Sequence, residues 1–269
     1  MPPPSDGTRH LAPAKVNLTL HVTGRRADGR HDLDSLVAFA DLGDVLHVSP
    51  GDALTIDGPF ANGVPVDDRN LIRRALAAAG TTRAVDLDKR LPHPAGLGGG
   101  SSDAAAALRA VGADLGLDAL MALGADLPVC LAAAPSRMRG AGERVDPVAL
   151  PRLHAVLVNP GVAVPTGAVF AALEGHGPPM PDVLPAGDPL DWLGGMRNDL
   201  QAPATGVASV IADVLAALTA AGARLSRMSG SGATCFGLFP DPAAAEAAAR
   251  RLDYPGWWAR ACTLNPSAP

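Results

Sequence analysis

The segment PHPAGLGGGSSDAAAAL, Pro92 to Leu108, decides the fold because it contains a glycine-rich loop and the start of a helix. Four of the five residues from Gly96 to Gly100 are glycine, and without Cβ atoms the backbone amides can approach a ligand closely. Ser101, Ser102 and Asp103 are favourable N-cap residues, and the alanines after them are strong helix formers. Because a helix N-terminus attracts anions, the segment predicts a phosphate site; a flexible hinge before a capped helix is the alternative.

Two common phosphate-binding motifs do not fit this loop. A Walker loop continues into Gly-Lys-Ser/Thr, whereas no lysine follows Gly100. The Rossmann fingerprint needs a third glycine where this chain has Ser101, and the proline-rich LPHP before the loop does not suit its tight turn. The pattern therefore disfavours a P-loop NTPase and a dinucleotide oxidoreductase.

Strand and helix patterns alternate before the loop. Apolar residues recur at every second position in residues 14–22, which predicts a strand, and residues 39–50 predict a second strand that pairs with it. Residues 71–79 have an amphipathic pattern that predicts a helix beginning after Asn70. Residues 83–91 alternate weakly, as in an edge or half-buried strand that ends where the glycine-rich segment begins.

The composition indicates a folded protein that acts on a small molecule. The 269-residue chain is 48% apolar, so it can bury a sizeable core. Its formal charge of −5 makes electrostatic binding to nucleic acid or anionic lipid unfavourable. No apolar run approaches the ~18 residues of a membrane span, and MPPPSDGTRH lacks the apolar segment of a signal peptide, so we expect a cytoplasmic protein. Cys130, Cys235 and Cys262 are widely spaced, which predicts buried thiols rather than disulfides or a zinc site.

Lys15 and Lys89 stand out because they are the only lysines beside twenty arginines. An ammonium is a compact point charge, whereas a guanidinium is a planar fork, so the two are not interchangeable at a reactive site. Lys15 is therefore a candidate for chemistry, with chance survival as the alternative. Lys89 either reaches the ligand of the glycine loop or is an exposed strand cation.

The glycine-rich segment resembles the nucleotide-binding motif of the GHMP small-molecule kinases, which include galactokinase, homoserine kinase and mevalonate kinase. The shared core is Pro-x-x-x-Gly-Leu-Gly, Pro92 to Gly98. Two further glycines precede the serines, a form similar to that of the GHMP kinases that act on CDP-methylerythritol. APAKVNLTLHVTGRRADGRHDLDSLVAFADLGDVL, residues 12–46, resembles the N-terminal block of the same branch, and the resemblance spans roughly residues 12–240.

The resemblance implies an α+β protein with a two-lobed GHMP-kinase fold. Residues 1–145 would form the N-terminal nucleotide-binding lobe, and residues 146–269 a ferredoxin-like C-terminal substrate lobe. It also implies a kinase that uses ATP and Mg²⁺ to phosphorylate the 2-hydroxyl of CDP-methylerythritol in the non-mevalonate isoprenoid pathway. The alternatives are a GHMP kinase for another alcohol, such as homoserine or mevalonate, and a nucleotide-binding module without kinase activity.

The resemblance further implies the residues of the kinase site. Asp126, in the block LGADLPVCL, would act as the base for the attacking hydroxyl, and Lys15 would lie beside it and stabilise charge on the attacking oxygen or the γ-phosphate. Without the resemblance, the position of Asp126 before Pro128 is more typical of a helix or turn cap. The loop would wrap the ATP phosphates with Mg²⁺ bridging them, and no side chain is predicted as a metal ligand. The predicted ATP-binding residues are Pro92, His93, Pro94, Ala95, Gly96, Leu97, Gly98, Gly99, Gly100, Ser101 and Ser102.

Five residues are predicted by resemblance to bind the acceptor: Asn17, Arg30, His31, Thr166 and Phe170. The family usually has a tyrosine before the histidine, whereas this chain has Arg30 there. A guanidinium can also stack on a base, so Arg30, His31 and Phe170 are candidates for the cytosine. A solvated loop position is the alternative for His31.

A second glycine-rich stretch, Ser229 to Gly232, lies between two strand-like segments. By resemblance it would close over the transferring phosphate through its amides, whereas the sequence alone is equally typical of a tight hairpin turn. The segment after it, DPAAAEAAARRL, predicts a helix capped by Asp241 with Pro242 in its first turn.

Overall fold

One long strand, His31–Ser49 (β3), is the element around which the fold is built in the computed structural model, which describes residues 7–266. Strand Thr8–Asn17 (β1) lies antiparallel to β3, which confirms the predicted pairing. The single strand predicted over residues 14–22 is interrupted, because β1 ends at Asn17 and the next strand begins at His21. Strand His21–Arg25 (β2) turns back on the start of β3 and also pairs with it. The residues that begin the chain thus frame one long central strand.

The other elements follow in chain order. The strands are Leu54–Asp57 (β4), Ala84–Asp88 (β5), Ser136–Gly140 (β6), Arg144–Pro147 (β7), Leu153–Asn159 (β8), Leu225–Met228 (β9), Cys235–Phe239 (β10) and Trp258–Leu264 (β11). The helices are Leu71–Ala78 (α1), Gly99–Ala110 (α2), Leu117–Leu123 (α3), Leu127–Ala132 (α4), Thr166–Ala171 (α5), Pro189–Trp192 (α6), Gln201–Val207 (α7), Val210–Ala220 (α8) and Pro242–Arg251 (α9), with a 3₁₀ turn at Leu193–Gly195.

The N-terminal lobe contains β1–β7 and α1–α4. Strand β3 pairs with β1, β2, β5 and β6, while β4 lies parallel to β5 and β7 lies antiparallel to β6. The predicted lobe boundary near residue 145 falls within β7. Because β7 pairs with β6, we propose that the division between the lobes follows Pro147.

The C-terminal lobe has the predicted ferredoxin-like arrangement. Strands β11, β8, β10 and β9 lie side by side in that order and are antiparallel. Helices α5–α8 connect β8 to β9, and α9 connects β10 to β11, which gives the order β-α-β-β-α-β. Strand β11 also pairs with β3 at Leu264 and Ala40, so the two sheets are joined. The α+β class is therefore confirmed.

Helix α2 begins earlier than the capping residues predict. Ser101, Ser102 and Asp103 lie inside the helix, and the N-cap position is held by Gly98, which has a left-handed φ of 63° and no capping side chain. Glycine reaches this conformation without a steric cost, so the chain turns into the helix before the serines. Their capping prediction is wrong, and the Ser102 hydroxyl instead donates to the carbonyl of Pro13 at 2.7 Å.

Helix α2 packs closely on β1 and α1 because its inner face is alanine. Ala104 to Ala107 are fully buried, and Ala106 and Ala107 belong to the same apolar cluster as Ala12 of β1 and Ile72 of α1. Small side chains at a helix contact let the backbones approach, since little volume separates them. The first turn of α2 is thereby brought next to β1.

Several local predictions are confirmed. Asn70 caps α1 by accepting the N–H of Ile72 at 2.8 Å, and Asp241 caps α9 by accepting the N–H of Ala244 at 2.8 Å. The cysteines are buried and free, and burial raises the pKa of Cys130 to about 12.

Within residues 7–266, no helix has the length and apolarity that crossing a bilayer requires. Residues 1–6 and 267–269 are outside the described part of the chain, and so is most of the segment on which the signal-peptide prediction rests.

We predict that Gly43→Ala destabilises the fold, because β1 passes directly over Gly43. A Cβ at this position would lie 2.1 Å from the carbonyl oxygen of Ala12 and 2.7 Å from Cα of Pro13, where the register of β1 shifts just before Lys15. Such overpacking costs about 1–3 kcal/mol, measurable by urea unfolding. Gly206→Ala is the control, since Gly206 lies within α7 without a positive φ and no atom lies within 4 Å of a new Cβ. Equal stability of the two variants would contradict the prediction.

Candidate functional site

A cavity of about 1130 Å³ lies between the two lobes. It is lined by both predicted catalytic residues, by all five predicted substrate-binding residues and by nine of the eleven residues predicted to bind ATP. The two exceptions are Leu97, which is buried in an apolar cluster, and Ser102, which holds Pro13. The structure thus brings together residues that are far apart in the sequence.

The centre of the cavity contains an ion pair between Lys15 and Asp126. Nζ of Lys15 lies 2.9 Å from Oδ2 of Asp126; the lysine side chain is 5% exposed and the aspartate side chain 34%. Asp126 occupies the position before α4, but its side chain makes no capping hydrogen bond. The capping alternative is therefore not supported, and the carboxylate faces the cavity with a buried ammonium beside it.

Lys15 is positioned by the glycine loop as well as by β1. Its backbone N–H donates to the carbonyl of Leu97 at 2.9 Å. A Cβ built on Gly98 would lie 3.3 Å from both Cβ and Cε of Lys15, so the absence of a side chain there leaves room for the lysine stem. The backbone of the glycine loop therefore helps to fix the position of the Lys15 side chain.

The loop presents backbone N–H groups to the cavity. Gly99, Gly100 and Ser101 form the start of α2 and line the cavity. The first N–H groups of a helix have no acceptor within the helix, and the helix dipole adds positive potential there. An anion such as a phosphate group fits this end of the cavity.

The second glycine loop, Ser229 to Gly232, lies between β9 and β10 and contacts the first loop. The Ser229 hydroxyl donates to the carbonyl of Gly96 at 2.8 Å and accepts the N–H of Asn17 at 3.1 Å. The side-chain amide of Asn198 donates to the carbonyls of Met228 and Gly230 at 2.8 and 2.9 Å. The loop therefore joins the two lobes through the hydrogen bonds of Ser229 and also forms a hairpin turn.

His31 and Phe170 form an aromatic pair in the wall of the cavity. The rings of His31 and Phe170 are stacked, with centroids 4.6 Å apart and planes inclined by 21°. Burial and, after it, the positive charge of Arg25 lower the pKa of His31, which favours the neutral form of the ring. His31 begins β3 and is not a solvated loop histidine.

Arg30 and Asn17 contribute different polar groups to the wall of the cavity. Nε of Arg30 lies 3.5 Å from Oδ2 of Asp28, and the side chain is 55% exposed and outside the aromatic stack. The amide of Asn17 donates to the hydroxyl of Ser35 at 2.7 Å, while its oxygen is buried and has no hydrogen-bond partner. An acceptor atom that is desolvated but unpaired in the free protein is suited to a ligand donor.

Among the cavity residues that were not predicted individually are His176 and Ser231. His176 lies 6.1 Å from His31, centroid to centroid, in a segment without any pattern that could have indicated it. Ser231 hydrogen-bonds to Thr166 at 2.9 Å between hydroxyl oxygens, and the only signal was its place in the second glycine loop.

Lys89 is neither an exposed cation nor a cavity residue. It is 2% exposed and lies between Asp44 and Asp103, so the exposed-cation prediction is wrong. Pairing of a lysine with two buried carboxylates from distant segments leaves no trace in a local sequence pattern.

Comparison with known proteins identifies relatives along the whole chain. The GHMP kinases N terminal domain model matches residues 69–136, and the GHMP kinases C terminal model matches residues 182–256. A 4-diphosphocytidyl-2-C-methyl-D-erythritol kinase from Paracoccus denitrificans (strain Pd 1222) is 54% identical over 96% of this chain and 97% of its own.

Solved structures show the same relationship. A crystal structure of 4-(cytidine 5'-diphospho)-2C-methyl-D-erythritol kinase superposes with a TM-score of 0.81 at 38% identity, covering 97% of this chain and 100% of that one. Homoserine kinase from Cytophaga hutchinsonii ATCC 33406 has a TM-score of 0.65 at 17% identity, covering 96% of this chain and 94% of its own, and shares the fold alone.

We predict that Ser229→Ala weakens the contact between the two glycine loops and lowers the free energy of unfolding. The change leaves the buried N–H of Asn17 and the carbonyl of Gly96 without their partner, which costs about 1–3 kcal/mol of unfolding free energy. Urea unfolding measures the loss. Ser226→Ala is the control, because the contact of its hydroxyl with Thr219 is exposed, and we expect a change within about 0.5 kcal/mol. A Ser229→Ala protein as stable as the parent would contradict this stabilising role of Ser229.

Proposed function

The chain belongs to the GHMP kinases and, within them, to the 4-diphosphocytidyl-2-C-methyl-D-erythritol kinase family; from this premise we propose that it transfers the γ-phosphoryl group of ATP to the 2-hydroxyl of CDP-methylerythritol. The products are ADP and the 2-phosphate of the acceptor, an intermediate of the non-mevalonate isoprenoid pathway. The observation that carries the proposal is the Lys15–Asp126 ion pair, which lines a cavity shared by a phosphate-type loop and an aromatic pair.

The ATP phosphates bind against the glycine loop in this proposal. The N–H groups of Gly99, Gly100 and Ser101 donate to phosphate oxygens, and the dipole of α2 adds to the attraction. Pro92 to Gly98 line the remaining wall, with Leu97 buried behind it. A fixed loop of this kind contributes mainly by positioning, which is the larger part of phosphoryl-transfer catalysis.

The acceptor hydroxyl is proposed to lie against Asp126. The oxygen–phosphorus bond forms as the bond from the γ-phosphorus to the ADP oxygen breaks, and the hydroxyl proton passes to the Asp126 carboxylate. The Lys15 ammonium is held 2.9 Å from that carboxylate and stabilises negative charge on the attacking oxygen and the γ-phosphoryl group. Because Lys15 is almost fully buried, water screens its charge little.

The cytidine end of the acceptor is proposed to meet His31 and Phe170. These rings already stack on each other, so a cytosine stacks on the outer face of the pair or enters by separating them. Asn17 supplies its unpaired oxygen to a ligand donor, and Thr166 supplies a hydroxyl. Arg30, which lines the same cavity, is the proposed replacement for the tyrosine usual in the family.

The donor groups of the site fit a magnesium ion that is bound mainly through the nucleotide. Mg²⁺ takes one or two carboxylates from the protein, and phosphates and water complete its shell. Asp126 is a carboxylate facing the cavity, and the described residues contain no group of three His, Cys, Asp or Glu that could hold an ion alone. Because Asp126 is assigned to the hydroxyl proton, the ion would be held by the phosphates of the nucleotide and by water, and it would neutralise charge on the phosphate oxygens.

We predict ADP release that requires both CDP-methylerythritol and Mg²⁺. Purified protein would be assayed with ATP and three alcohols in turn, CDP-methylerythritol, homoserine and mevalonate, with excess EDTA as the metal-free control. Turnover of homoserine or mevalonate alone would replace the proposed acceptor. Binding of ATP without turnover of any of the three would show a nucleotide-binding module.

We predict that Lys15→Arg lowers kcat by about 10²-fold or more, since a buried point charge aimed at the reacting oxygens is replaced by a larger planar fork. Steady-state kinetics with saturating ATP and acceptor measure the loss. Arg90→Lys, which exchanges the same two cations at an exposed position paired with Asp88, is the control and should leave kcat unchanged. Near-normal kcat for Lys15→Arg would remove the reason given for a lysine at this position.

A further inference from the structure

Three buried charged residues form a cluster beneath the glycine loop. Nζ of Lys89 lies 2.5 Å from Oδ2 of Asp44 and 2.7 Å from Oδ2 of Asp103. The three side chains, referred to below as the Lys89 cluster, are no more than 4% exposed. None of the three lines the cavity, so the cluster has no direct access to a ligand there.

The Lys89 cluster joins the two ends of the glycine loop. Oδ1 of Asp44 accepts the backbone N–H groups of Arg90 and Leu91, at 2.6 and 2.8 Å, just before the loop begins. Asp103 lies in α2, into which the loop runs. Because Lys89 bonds to both carboxylates, the strand end before the loop and the helix after it are held at a fixed separation.

The cluster also contacts the part of the loop that faces the cavity. Gly99 is the first residue of α2 and lines the cavity, and a Cβ built on it would lie only 3.1 Å from Nζ of Lys89. The ammonium therefore supports the Gly99 backbone from below. If the ammonium were displaced, the first turn of α2 could move toward β3, and the backbone N–H groups of that turn would move as well.

The charge of the cluster suits a position under an anion site. Burial raises the pKa of Asp103, although the attraction of Lys89 opposes this. Oδ1 of Asp103 is also buried without a hydrogen-bond partner, which is a poor environment for a full negative charge. Because the pKa of Asp103 is raised, the cluster places less negative charge beneath the loop than two ionised carboxylates would.

We propose that Lys89, held by Asp44 and Asp103, is the positioning residue of the glycine loop and fixes the spacing of the backbone N–H groups that receive the nucleotide phosphates. This inference rests on the kinase function proposed above. It assigns the second lysine of the chain to the preorganisation of the loop, while Lys15 acts on the reacting atoms. An ammonium fits because it is a compact donor that can bond to two carboxylates in a closed space.

The test separates nucleotide binding from acceptor binding. Lys89→Met removes the charge at similar length, and we expect KM for ATP to rise about tenfold or more while KM for the acceptor changes less than about threefold. The Kd of the non-hydrolysable analogue β,γ-imido-ATP, measured by calorimetry, should rise with KM for ATP. Arg90→Met is the matched control, because this neighbouring cation is exposed, pairs with Asp88 and lies outside the cluster.

Two variants of Asp103 keep the proposal testable if Lys89→Met does not fold. Asp103→Asn keeps the shape and the oxygen that accepts from Lys89, so β,γ-imido-ATP should bind within about threefold of the parent. Asp103→Ala removes that oxygen and should weaken the analogue about tenfold. Parent-like binding by Asp103→Ala, or equal losses of ATP and acceptor affinity, would overturn the proposal.

The parent protein provides the check on the underlying function. If it binds β,γ-imido-ATP but turns over no alcohol, the proposed kinase function fails, while the binding constants of the Asp103 variants still decide whether the cluster positions the loop. If the parent binds β,γ-imido-ATP and turns over an alcohol, and Asp103→Ala binds the analogue as tightly as Asp103→Asn does, only the positioning role fails.

Discussion

The close contact between helix α2 and strand β1 is the constraint on which the site depends. Fully buried alanines let the helix approach the strand, and Ser102 fastens its first turn to the backbone of Pro13. Lys15 follows two residues later on β1, with its backbone N–H bonded to the glycine loop. The phosphate-type loop and the buried ammonium are therefore placed by one packing contact, and bulk added to it would separate them.

The two lobes share a buried apolar cluster, and beside the cavity they also meet through backbone groups and short polar side chains. Ser229 of the C-terminal lobe bonds to Gly96 and to Asn17, and the N–H of Thr234 donates to the carbonyl of Ala95. Gly96 has no room for a side chain, because a Cβ there would lie 2.3 Å from the carbonyl of Ser229. The glycines of the first loop thus serve contact between the lobes as well as ligand approach.

Features that depend on neighbouring residues could be predicted from the sequence, and features that depend on distant ones could not. The caps of Asn70 and Asp241 were predictable because a cap is a local interaction. The serines of the loop were misplaced, since their capping preference does not reveal that Gly98 turns the chain first. The environment of Lys89 depends on Asp44, forty-five residues away, and was beyond any local pattern. The place of Asp126 in the cavity came from resemblance alone.

In the proposed function, the stacked rings of His31 and Phe170 favour an acceptor that carries a flat ring. A contact of this kind contributes about 0.5–1.5 kcal/mol, and a flat ring that enters between the two replaces it with contacts on both of its faces. An aliphatic alcohol that separates the rings loses their contact and gains nothing comparable. In the proposed function, a small alcohol can therefore contact the Lys15–Asp126 ion pair but leaves the two rings stacked on each other.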